Sequence, residues 1–266
     1  MNDVFADLAT ETELVDRMVA ALDERQWALE TPAPGWTIAK QVAHLSFVFR
    51  LAGLAASDPD TFTALTSNID DFNAAVNGAL EGYPLDSPAE LLARWRQESA
   101  EAVRALTDLP EGAIVPWLVR PLPAAVLACA GMMELFAHGQ DIADTLRIRP
   151  ERTDRIGHLV IFATLTWDFG YLSRGLPTPP VQLRYEITAP SGEVWEYGPA
   201  DSAERVTGPA VDFALLVTRR RHRADLAVTA TGAEADRWLD IAQAYRGPAG
   251  EGRAPGQFDH LKTLAG

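Results

Sequence analysis

Between Pro121 and Arg147 the chain carries a helix-length stretch, Leu122 to Leu146, that is apolar almost all round and yet contains Glu134, His138 and Asp141. These three stand at positions i, i+4 and i+7 and therefore stack on one stripe of a 3.6-residue helix. Val126, Leu127, Met132, Met133, Leu135, Phe136 and Ile142 surround them. A carboxylate in such surroundings is costly to bury unless it is paired or bound to a metal. The stripe is therefore where chemistry is expected.

The rest of the first two thirds also reads as helix. Apolar residues recur at helical spacing from about Asn2 to Leu29, and Pro32, Pro34 and Gly35 then break the chain. Thr37 is placed to cap a second helix whose inward positions include Ile38, Val42, Leu45 and Phe49, with Asp58-Pro59 as its stop. A more polar amphipathic stretch runs to about Glu81, and Ser87-Pro88-Ala89-Glu90 reads as a capping box opening a helix to about Leu106. One further helix is expected from Thr153 to Ser173. Composition then changes. The segment Arg174 to Pro180, with three prolines and a glycine, is a stiff breaker, so the domain boundary is expected there, with one domain at 1–175 and a smaller one at 181–266. Val181–Thr188, Glu193–Tyr197 and Asp225–Thr231 read as strands, flanked by helical segments near Pro209–Thr218 and Ala233–Tyr245. The fold class is α+β in two domains, a helical one followed by a small α+β unit.

Charge narrows the function. With 37 acidic against 23 basic residues the formal net charge is -14, which argues against nucleic acid and anionic membrane surfaces as partners. The local exception, Arg219-Arg-Arg-His-Arg223, reads either as a solvated helix end or as a phosphate or carboxylate contact. The one cysteine, Cys129, excludes an internal disulfide and any CxxC metal site. No apolar run reaches the ~18 residues that span a bilayer, and Met1–Glu13 is acidic and unlike a signal peptide, so a cytoplasmic protein is expected.

Two metal ligands one helical turn apart are an economical grip on a divalent ion, and Glu134 and His138 have that spacing. By itself the pair is also compatible with a salt-bridged or hydrogen-bonded one. A third ligand has to come from elsewhere. His44, on a helix whose Val48 and Leu51 share its face, is the best placed; His158, His222 and His260 fit less well.

Pro34-Gly-Trp-Thr-Ile-Ala-Lys-Gln-Val-Ala-His-Leu45, followed by Glu134-Leu-Phe-Ala-His-Gly-Gln-Asp-Ile142, resembles the DinB-like superfamily and, more closely, its mycothiol-dependent maleylpyruvate isomerase branch. The resemblance covers roughly residues 5–175. It implies an up-down bundle of four core helices, a divalent metal (zinc in most members) held by His44, Glu134 and His138, and a small sterol-carrier-like domain at the C-terminus. It also implies a low-molecular-weight thiol, mycothiol or similar, used to isomerise a double bond or displace a leaving group on a small organic electrophile.

Asp141 matches an aspartate common in the branch and reads either as a supporter of a metal-bound histidine or as a helix-surface carboxylate. Cys129 lies five residues before Glu134, about 140° round the helix, and faces packing, so the thiol has to be external. An anionic cofactor would call for arginine, with Arg120, Arg50 and the 219–223 run, Arg220 included, as candidates. Trp36, Trp117, Trp167 and Phe136 are candidate walls of an apolar pocket. Two further readings stay open: a non-catalytic metal- or ligand-binding regulatory module, and a metallohydrolase working through zinc-bound water. Members of the superfamily can pair, so a homodimer is also compatible.

Overall fold

The computed structural model describes residues 3–67, 72–118 and 120–262. Asn2 of the expected first helix and residues 68–71 of the expected amphipathic stretch lie outside the described residues. The chain divides into two compact units, Met1–Arg149 and Pro150–Gly266.

The first unit contains α1 (Val4–Ala20), α2 (Glu24–Trp27), α3 (Ile38–Ser57), α4 (Pro59–Thr66), α5 (Phe72–Leu80), α6 (Pro88–Thr107), the short antiparallel pair β1 (Ile114–Val115) and β2 (Leu122–Pro123), and α7 (Ala124–Leu146). Its core is a four-helix bundle. Both α1 and α3 pack against α6 and against α7. Leu8, Val15 and Val19 of α1 meet Val42, Leu45 and Phe49 of α3, Leu91, Trp95 and Leu106 of α6, and Leu127, Met132 and Leu135 of α7 in one buried cluster. Trp95 is fully covered and sets its ring edge-on to Phe49 at 5.3 Å. The α3–α6 seam closes on a glycine: a Cβ at Gly53 would stand 3.2 Å from the Ala102 Cα. That close approach fixes α3, the helix that carries His44.

Local signals explain where the helices start and stop. The stretch expected as one helix to Leu29 ends at Ala20, because Asp23 and Gln26 form a reciprocal capping box that opens α2 as a separate turn. Thr37 caps α3 as expected, its hydroxyl accepting the Lys40 amide at 3.3 Å. Asp58 ends α3 and, with Pro59 behind it, caps α4 by accepting the Thr61 amide at 3.1 Å. Ser87 takes the N-cap position of α6 with proline after it, but its side chain makes no capping hydrogen bond. Its backbone angles (φ -125°, ψ 82°) are close to those of Asp58 (φ -145°, ψ 72°), and the aspartate carboxylate reaches one bond further than a serine hydroxyl. The expected capping box is thus reduced to its proline.

In the second unit, α8 (Gly157–Leu165) and α9 (Phe169–Leu172) precede β3 (Arg184–Thr188), β4 (Val194–Tyr197), β5 (Arg205–Pro209), α10 (Ala210–Val217), β6 (Thr229–Thr231), α11 (Ala233–Ile241) and α12 (Asp259–Lys262). The sheet order is β4-β3-β5-β6, with β3 and β5 parallel and the outer pairings antiparallel. The domain division differs from the 174–180 boundary expected from composition. The expected 153–173 helix breaks into α8 and α9, and both belong with the sheet: α8 packs on α10, and the Trp238 indole donates to the Trp167 carbonyl at 2.8 Å next to α9. The proline-rich segment is therefore a turn inside the second unit. One strand, β5, has no counterpart in the sequence reading. Its Arg-Val-Thr-Gly-Pro run carries a single large apolar side chain, yet it lies in the middle of the sheet. Gly208 permits this, since a Cβ there would meet the Ala227 carbonyl oxygen at 2.8 Å.

Candidate metal centre

The two bundle helices α3 and α7 face each other, and His44, Glu134 and His138 converge between them. The His44 and His138 Nε2 atoms stand 3.6 Å and 3.2 Å from the same oxygen, Glu134 Oε2. The side chains are only 14%, 20% and 12% exposed for His44, Glu134 and His138. One ligand atom from each residue lies within 4.8 Å of the others. Those separations suit a shared cation: the edge of a tetrahedron with metal–ligand bonds of about 2.0–2.1 Å is about 3.3 Å. Two imidazoles and one carboxylate are also the donor set of catalytic zinc sites, which leave a fourth position open.

Electrostatics point the same way. Burial pushes the Glu134 carboxyl up, but hydrogen bonds from His138 and His44 outweigh it and hold the group well below the usual carboxylate range. Glu134 is therefore an ionised carboxylate in a largely apolar helix, and its charge is answered by the two imidazoles.

A loop and a ring shape the wall. The Thr31 amide and hydroxyl both donate to the Trp36 carbonyl, at 2.8 Å and 2.7 Å, closing a turn in which Gly35 takes a positive φ of 74°. This turn lays the Trp36 ring against both imidazoles, edge-on to His44 at 5.3 Å and stacked on His138 at 5.8 Å. The His44 Nδ1 is buried with no hydrogen-bond partner among the described residues, so ring packing orients that side chain. His138 is held differently, by a short hydrogen bond between its Nδ1 and Gln41 Oε1. Gln41 is fully buried; its amide nitrogen donates to Thr31 Oγ1 at 2.8 Å and approaches Asp141 Oδ2 at 3.5 Å. Asp141, expected as a supporter or a surface group, is fully buried and meets His138 through Gln41. Gln41 and Thr31 are absent from the sequence reading. The available signal was spacing: Gln41 precedes His44 by three residues and shares its face of α3.

Arg120 is exposed on the connection between β1 and β2, and Arg220, in the second unit, gives a guanidinium hydrogen to the Thr218 carbonyl at 2.7 Å. The arginine run does not act as one patch: Arg221 covers the Phe258 ring at 3.7 Å and Arg223 binds Asp236 and Asp240 at 2.6 Å and 2.8 Å. Arg50 lines a groove between α3 and α6 together with Arg94 and Glu98. Of the expected aromatic walls, Trp117 stacks on Phe62 at 5.6 Å and Trp167 meets Tyr171 at 5.8 Å. Cys129 is buried, and that burial pushes its thiol from 9.0 up to about 12. That burial disfavours the thiolate, the form that acts as a nucleophile.

Residues 8–143, just over half of the chain, match the family described as the mycothiol maleylpyruvate isomerase N-terminal domain. The chain belongs to that family. Two curated relatives, "Uncharacterized protein MT0041" and "Uncharacterized protein Rv0036c" from two strains of Mycobacterium tuberculosis, are each 41% identical over 252 residues, covering 93% of this chain and 97% of theirs. Among solved structures, a crystal structure of a variant of the mycothiol-dependent maleylpyruvate isomerase superposes with a TM-score of 0.54 at 18% identity, covering 85% of this chain and 91% of that one. At that identity the likeness shows a shared fold: an N-terminal helical domain with a small sheet-containing domain after it. Residues 181–231 also match a family described as wyosine base formation. No helix among the described residues is long and apolar enough to cross a membrane.

Proposed function

We propose that this protein is a divalent-metal-dependent enzyme in which a low-molecular-weight thiol, mycothiol or a close equivalent, attacks a small organic electrophile to isomerise it or to transfer sulfur to it. One observation carries the reading: His44, Glu134 and His138 converge on one point while the chain's own thiol, Cys129, is buried and protonated. A divalent ion bound there would lower the pKa of a thiol brought to its open position, making the thiolate that acts as nucleophile. The chain's residues do the rest. Glu134 supplies negative charge that keeps a cation in a largely buried pocket. Trp36 covers both imidazoles and limits access of water to them. Gln41 and Asp141 hold His138 from behind. The family membership and the shared fold support the thiol, and zinc is the ion best matched to this donor set.

Thermal unfolding with and without zinc tests the reading. A ligand that binds only the folded protein stabilises it by about 2.7 kcal/mol at a hundredfold excess over its dissociation constant. The zinc-loaded protein should therefore show a melting temperature that climbs with mycothiol concentration, and the zinc-free protein should not. A zinc-loaded protein indifferent to mycothiol would overturn the thiol part of the proposal.

A further inference from the structure

We infer that Gln41 is a positioning residue that fixes His138 in the tautomer with its proton on Nδ1, so that Nε2 presents a lone pair to the cation; this rests on the metal-site reading above. The direction of the hydrogen bonds is forced from both ends. Thr31 spends its hydroxyl hydrogen on the Trp36 carbonyl at 2.7 Å, so toward Gln41 its oxygen can only accept. Asp141 Oδ2 accepts from the same nitrogen. Both lie on the same side of the Gln41 amide, at 2.8 Å and 3.5 Å from its nitrogen. The short Thr31 bond sets the orientation. A flip is opposed, because a flipped amide would turn Oε1 toward the Thr31 oxygen, whose hydrogen is already spent on the Trp36 carbonyl. Gln41 Oε1 must then face His138, and a carbonyl oxygen accepts, so His138 Nδ1 donates. Nε2, the nitrogen 3.2 Å from Glu134, is then the one that faces the cation; in the metal-free protein a proton there hydrogen-bonds to the Glu134 carboxylate, and a bound cation would take its place.

The chain of donors runs through residues that are themselves immobile. Gln41 and Asp141 are fully buried and Thr31 nearly so. The turn that carries Thr31 also carries Trp36, whose ring stacks on His138. One element thus sets both the hydrogen-bond direction and the packing of this imidazole. His44 has no such partner on its Nδ1, so the two imidazoles are held by different means.

Outer hydrogen-bond partners of metal ligands typically change metal affinity by 10–100-fold. Zinc affinity, read by chelator competition, should drop by that much in Gln41→Met, which keeps length and loses the amide's hydrogen bonds to His138, Thr31 and Asp141. Thr31→Val should show a smaller loss, and Thr31→Ser, which restores the hydroxyl, should return to the wild-type value. Zinc affinity of Gln41→Met within twofold of wild type would overturn the inference. A second measurement is independent of the metal: long-range proton–nitrogen correlation on histidine-labelled, zinc-free protein. His138 Nδ1 should carry a proton in the wild type, whether or not Nε2 also carries one toward Glu134, and that preference should be lost in Gln41→Met. A wild-type Nδ1 without a proton would overturn the inference. A wild-type protein that binds no zinc but shows the Nδ1 proton would instead sink the metal reading and leave the positioning role standing.

Discussion

Replacing His138 by alanine should strip the protein of its metal, with zinc affinity falling by at least about a hundredfold. The floor comes from the 10–100-fold losses seen when only outer partners of a ligand are removed; deleting the ligand itself has to cost more. His138 is also the best-anchored member of the trio, tied to Gln41 on one nitrogen and next to Glu134 on the other. Fold loss is a lesser concern, since the ring lies at the pocket and outside the apolar cluster that joins α1, α3, α6 and α7. Zinc per chain after exhaustive dialysis, with circular dichroism as a control for folding, measures the effect. Wild-type zinc content in His138→Ala would remove His138 from the site.

The second large effect belongs to Glu134→Gln, which keeps shape and removes charge. In the metal-free protein the Glu134 carboxyl, although burial opposes its ionisation, is held below its ordinary value of 4.5 by hydrogen bonds from His138 and His44. The sign follows from linkage: a depressed carboxyl contributes stability that is present above the unfolded value near 4.5 and is lost as pH falls through the folded value. Glu134→Gln should therefore be less stable than wild type by about 1–3 kcal/mol at neutral pH. The gap should narrow as the solution is acidified below about pH 4.5, where the unfolded wild-type chain takes up this proton while the folded one still does not. Urea unfolding of both metal-free proteins across that range reads it directly. A gap that widens toward acid would contradict the ionised, histidine-paired state of Glu134.

How much of this was legible beforehand depends on the range over which each signal acts. The helix of the stripe was clear because most of the 23 residues of α7 are apolar and its polar ones recur at helical spacing, a local signal that needs no tertiary contact. His44 was a candidate third ligand from its inward helix face, but its pairing with that line came from the resemblance of two motifs, since helix pairing is a long-range property. Gln41 was invisible because a glutamine inside an apolar helix reads as one more polar residue until Thr31, 10 positions away, and Asp141, 100 positions away, are brought to it. Strand β5 was missed because a strand flanked on both sides by others can take its apolar cover from neighbours and needs little of its own. The breaker at 174–180 misled for the opposite reason. Prolines mark a stiff turn, and only packing partners, here α10 for α8 and the Trp238 indole beside α9, decide which unit a helix joins.

The central claim is that His44, Glu134 and His138 hold a divalent ion with one position free for an external thiol. X-ray absorption at the zinc edge of the loaded protein, recorded before and after mycothiol, tests it most directly. The first spectrum should show only nitrogen and oxygen neighbours, at about 2.0–2.2 Å, and mycothiol should add one sulfur at about 2.3 Å. A first shell already containing sulfur without mycothiol, or one that mycothiol leaves unchanged, would contradict the account.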